Sequence, residues 1–94
     1  DGAEKIQSLM TYFREKGTDL FDGIKEIIDY SAGVADLPKE NVLKFIWFDG
    51  SWMAVRPSGT EPKIKVYYSI KDSSRENAQN RLDSIKTTIN NIIK

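Results

Sequence analysis

Ninety-four residues, 39% of them hydrophobic and 11% aromatic, make one small folded domain with a single modest core. Fourteen basic side chains balance fourteen acidic ones, so nothing global draws the chain to nucleic acid or an anionic membrane, and any preference for an anion must come from local arrangement. The lack of cysteine and histidine excludes disulfides, thiolate metal sites, a cysteine nucleophile and the commonest general base near neutral pH, which argues against independent catalysis.

The chain opens at Asp1 and enters an amphipathic pattern almost at once, which reads as a piece cut from a longer polypeptide. Ile6, Leu9, Met10 and Phe13 recur at helical spacing and predict a helix over residues 3–15, with Gly17 expected to end it. After a polar link containing Asp19 and Asp22, the isoleucine-rich segment from Gly23 to Tyr30 reads as a strand. Residues 31–41, "SAGVADLPKEN", combine small residues with a proline and read as a long connection of the kind that often borders a functional surface.

Residues 42–48 have the β-branched and aromatic character of a buried strand. Asp49-Gly50 predicts a two-residue hairpin turn, because both central positions tolerate positive φ, and the next strand is expected over 51–56. From Lys63 to Ile70 the alternation is clean: Ile64, Val66, Tyr68 and Ile70 share one face and Lys63, Lys65, Tyr67 and Ser69 the other. Ser73-Ser74-Arg75-Glu76 has capping-box spacing, and Ala78, Leu82, Ile85, Ile89, Ile92 and Ile93 form the stripe of a C-terminal helix. This order predicts an α+β domain spanning 1–94, an antiparallel four-stranded sheet with both helices packed on one face and the other face left available. No apolar run approaches the roughly 20 residues of a membrane span, and a cytoplasmic setting is expected.

The segment "VRPSGTEPKIKVYY", residues 55–68, concentrates chemistry at one bend. Gly59 can adopt backbone angles that aim neighbouring N–H groups at one point, Ser58 and Thr60 add hydroxyls, and Arg56 and Lys65 can converge from the flanking strands. The arginine brings a planar fork suited to phosphate oxygens and the lysine a mobile point charge. The alternative is an ordinary polar turn between strands with exposed lysines. The absence of a histidine base and of a strand-to-helix elbow argues against Ser58 as a nucleophile. Trp47 and Trp52 are expected in the core or at an interface. Tyr67 and Tyr68 should point to opposite faces.

"RPSGTEPKIKVYY" closely resembles the phosphate-binding loop of the C-terminal domain of the α-D-phosphohexomutases, the family of phosphoglucomutases and phosphomannomutases. The run Arg56 to Pro62 and the following Ile64-Lys65-Val66-Tyr67 carry the resemblance, which extends in outline over essentially the whole chain. It implies a TATA-binding-protein-like α+β fold and the fourth domain of a four-domain enzyme. That enzyme interconverts sugar 1-phosphate and sugar 6-phosphate through a bisphosphorylated sugar. It further implies that Arg56, Ser58, Gly59 and Thr60 grip the phosphate that is not being transferred, assisted by Lys65. Some relatives have arginine where this chain has Lys65.

Magnesium and a hexose 1,6-bisphosphate are implied for the parent enzyme, with none bound by this chain. The chain has no Ser-His-Asn-Pro-like stretch and no Asp-x-Asp-x-Asp cluster. The expectation is therefore a domain that binds a phosphosugar weakly, does no catalysis alone and has the other three domains as partners. The rival readings are a nucleic-acid-binding sheet, which zero net charge opposes, and a structural or interaction module.

Overall fold

The computed structural model describes residues 2–33, 36 and 38–93. Helix α1 (Gly2–Leu20) leads into β1 (Ile24–Asp29) and a short 3₁₀ turn (Tyr30–Ala32). Then come β2 (Leu43–Trp47), β3 (Trp52–Pro57), β4 (Ile64–Ser69) and helix α2 (Arg75–Ile93). The strands form one antiparallel meander in the order β1-β2-β3-β4. This is the expected α+β arrangement. Within the 31–41 connection, Val34, Ala35 and Leu37 lie outside the described residues.

The core follows from the two periodicities. Met10 and Phe13 of α1 and Ile85 and Ile89 of α2 meet Leu43, Phe45, Trp47, Met53 and Val55, the inward alternate positions of the central strands. Phe13 and Phe21 both stand edge-on to Phe45, with ring centroids 6.4 and 6.1 Å away. Trp47 is buried and its indole N–H donates to the Asp22 carbonyl, 3.0 Å away. The outward positions form rows across the sheet: Ile28, Lys44, Ala54 and Tyr67 in one, and Glu26, Ile46, Trp52 and Ser69 in the next. Trp52 thus lies on the open face, with the Lys44 ammonium 4.7 Å from its ring centre. Tyr68 points inward and Tyr67 outward, as the alternation predicts.

Three local expectations are corrected. Gly17 does not end α1 but lies buried inside it. A Cβ there would come within 2.5 Å of Ile27 Cδ1 and 2.8 Å of Phe45 Cε2, so the missing side chain lets the helix settle close against β1 and β2. The β2–β3 connection is not a two-residue turn at Asp49-Gly50 but runs over Phe48-Asp49-Gly50-Ser51. The Gly50 N–H donates to the Trp47 carbonyl, the Trp47 N–H to the Ser51 carbonyl, and Gly50 has φ 90°. The cap of α2 is Ser74 and not Ser73: the Ser74 hydroxyl accepts from the Asn77 N–H, and the Asn77 side chain reaches back to Ser73 Oγ.

Two side-chain clasps hold the layers together. Arg81 of α2 donates to the Asp49 carboxylate and the Lys71 carbonyl and lies over the Trp47 ring. The hydrogen bond from Arg81 holds the Asp49 carboxyl down at about 2. At the other end, Arg14 of α1 donates to Asp29 Oδ2 at 2.6 Å and Asn41 Oδ1 at 3.0 Å. Burial alone would raise the Asp29 pKa, but hydrogen bonds from Ser31 and Arg14 outweigh it and the net shift is downward.

Candidate anion-binding site

An antiparallel meander places its first and third connections at one end of the sheet and its second at the other. The β1–β2 connection and the β3–β4 loop therefore share an end, on which all the proposed site residues lie. Arg56 is the penultimate residue of β3 and pairs in register with Lys65 of β4. Both side chains are outward and exposed, and neither has an ion pair or side-chain hydrogen bond among the described residues. Like charges directly opposite each other across a strand pair are destabilising, and an anion between them would relieve this.

The third cation of the segment behaves differently. Lys63 Nζ lies 3.0 Å from Glu61 Oε2, so these two cancel and leave Arg56 and Lys65 as the uncompensated charge.

The loop between them is closed by backbone bonds from Ser58 N–H to the Lys63 carbonyl and from Lys63 N–H to the Glu61 carbonyl. The Ser58 amide is thus consumed in the hairpin, and the donor it retains is the hydroxyl, 3.3 Å from the Thr60 hydroxyl. Ser58 is 7% exposed, a position that suits a fixed donor and not an attacking group. Gly59 has φ 87°, and its amide and that of Thr60 have no protein partner among the described residues. A Cβ built on Gly59 would meet nothing within 4 Å, so the glycine answers a backbone requirement and not a steric one. The two free amides, the two hydroxyls and the two cations thus gather at one end of the sheet, a candidate cradle with the donor types a tetrahedral oxyanion needs.

The cradle is propped from behind. A Cβ on Gly2 would lie 2.5 Å from Pro62 Cβ, so the start of α1 sits tightly under the loop. A cleft of about 380 Å³ opens there between Ala3, Ile6 and Gln7 and the loop residues Gly59 and Thr60. A larger depression, about 430 Å³ between α1 and α2, shares no residue with the loop.

On the other side, Arg56 and Pro57 form a wall of a smaller pocket completed by Glu40, Asn41 and Val42. Sequence reasoning did not single out Glu40 or Asn41. Only the shared end of the meander, which brings the 31–41 connection beside Arg56, could have pointed to them. Among the described residues no three His, Cys, Asp or Glu side chains converge as metal ligands. No described helix is long and apolar enough to cross a membrane.

Comparison with known proteins places these observations in context. The family profile "phosphoglucomutase/phosphomannomutase, C-terminal domain" matches residues 12–83. A phosphoglucomutase of Staphylococcus aureus (strain MRSA252) is 40% identical over an alignment covering 76% of this chain and 15% of the relative. One from Staphylococcus saprophyticus is 36% identical over 98% of the chain and 18% of the relative. One from Staphylococcus epidermidis is 43% identical over 73% of the chain and 15% of the relative. The chain thus spans less than a fifth of the length of these relatives. No solved structure matches it.

Proposed function

Given that this chain belongs to the phosphoglucomutase/phosphomannomutase C-terminal domain family, we propose that its 94 residues form the substrate-phosphate-binding domain of a larger phosphohexomutase. That enzyme interconverts hexose 1-phosphate and hexose 6-phosphate through a bisphosphorylated intermediate. The observation that carries the reading is the pair Arg56 and Lys65, opposed in register without a counterion and flanked by the free amides of Gly59 and Thr60. A phosphate dianion relieves the repulsion and accepts from every donor in the cradle.

The domain's work in this reading is positional. Arg56 holds one oxygen pair bidentately, Lys65 supplies charge, and Thr60, Gly59 and the Ser58 hydroxyl fix the rotation of the phosphate that stays on the sugar. Phosphoryl transfer depends mainly on alignment and charge stabilisation, so a group gripping the distal phosphate contributes to rate without touching the reacting atoms. The reacting groups and any magnesium belong to the other domains, which are this domain's partners. No step runs through a metal here.

The test is a titration of the ¹⁵N-labelled chain with glucose 6-phosphate, followed by amide chemical shifts. The amides of Gly59 and Thr60 move first, with dissociation constants around the millimolar end of the scale, and Arg56→Ala removes the response. Unmoved loop amides at saturating ligand, or an Arg56→Ala variant that responds like the parent, overturn the reading. Salt-dependent binding to random duplex DNA would favour the nucleic-acid alternative instead.

A further inference from the structure

The pocket on the far side of Arg56 has a composition opposite to that of the cradle. It is about 270 Å³ and lined by Glu40, Asn41, Val42, Arg56 and Pro57. Glu40 is exposed and has no ion pair among the described residues, in contrast to the neutralised Glu61 of the loop. An unpaired carboxylate repels a phosphate but accepts well from neutral hydroxyls.

Asn41 is held by two constraints. Its Oδ1 accepts from Arg14 Nη2 at 3.0 Å, and because a guanidinium offers only donors, the amide orientation is fixed and Nδ2 is left as a donor without a partner among the described residues. Arg14 is itself locked by Asp29 at 2.6 Å. The backbone beneath is stitched down: Tyr30 N–H donates to the Val42 carbonyl, Glu40 N–H to the Tyr30 carbonyl, and Val42 N–H to the Glu40 carbonyl. Hydrogen-bonding groups on such a supported lip can read a hydroxyl pattern, because little ordering remains to be done on binding.

We propose that Glu40 and Asn41 form a subsite for the hydroxyl groups of the sugar whose phosphate lies in the loop cradle, Glu40 as acceptor and Asn41 Nδ2 as donor. Arg56 is shared by the two compartments, its charge facing the phosphate and its edge walling the sugar side. The negative Glu40 and the positive cradle sort the two ends of the ligand, which sets the direction in which it lies across β3. This inference rests on the phosphate reading and extends it to the substrate's carbohydrate part.

The experiment compares inorganic phosphate with glucose 6-phosphate on the labelled chain. Phosphate moves the Gly59 and Thr60 amides only, whereas glucose 6-phosphate also moves the Asn41 side-chain amide and the backbone amides of Asn41 and Val42. Asn41→Ala weakens glucose 6-phosphate binding by about 5-fold, the effect of one lost hydrogen bond, and leaves phosphate binding unchanged. Glu40→Gln, at an exposed position outside the Arg14 clasp, does the same if Asn41→Ala perturbs the fold. A silent Asn41 beside responsive Gly59 and Thr60, or variants that change both ligands equally, overturns the subsite and leaves the phosphate reading intact. Silence of Gly59 and Thr60 toward both ligands overturns the two together.

Discussion

Two glycines show how differently the same residue is used. Gly59 stands in open space at φ 87°, so alanine there collides with nothing and is disfavoured only by its backbone angle. Gly59→Ala should lower stability by about 1–2 kcal/mol in urea unfolding and weaken phosphate binding more than that loss explains, because the relaxed backbone no longer aims its amides at the cradle. Gly17 is the reverse case. Alanine is the better helix former by about 1 kcal/mol, yet its Cβ would press on Ile27 and on the Phe45 ring. Gly17→Ala should therefore lower the melting temperature while the folded fraction keeps its phosphate response. The contiguous run from Arg56 to Thr60 was legible because its chemistry is local, and strand alternation placed Lys65 on the outer face. That Arg56 faces Lys65 depends on the length of the intervening turn, and Glu40 and Asn41 carry no periodic signal at all.

At the scale of elements, the Asp49–Arg81 clasp joins the β2–β3 loop to α2. The folded-state carboxyl sits at about 2, below its ordinary value of 3.8. The clasp therefore stabilises fully above the unfolded value and loses its contribution as pH falls from about 4 toward 2. Urea midpoints of the parent chain and Asp49→Asn should differ near neutral pH and converge across that window. A constant gap would show that Asp49 acts through shape alone. Element types and order were readable because the inward residues of α1, α2 and the strands keep their periods throughout. The ends were less so. A glycine in a helical pattern suggests a stop until the sheet beneath it is known, and Ser73 and Ser74 compete for one cap that only the geometry of the chain entering α2 decides.

For the whole molecule, the opposed pair Arg56 and Lys65 places two like charges side by side, a repulsion that the proposed phosphate would relieve. Inorganic phosphate should raise the melting temperature, following the linkage that gives about 2.7 kcal/mol at 100 times the dissociation constant. Arg56→Ala should abolish that rise without lowering the melting temperature in a phosphate-free buffer. Loss of stability from Arg56→Ala under those conditions would mean that the arginine serves the fold and not a ligand. The sheet's connectivity has a further consequence. Its turns alternate between two poles, one holding the 30–42 connection and the 58–63 loop, the other holding Phe48 to Gly50 and its tie to Arg81. Each pole carries its own clasp between helix and sheet, Arg14 at the first and Arg81 at the second, so exchanges confined to the 58–63 loop, which neither clasp touches, leave both ties in place.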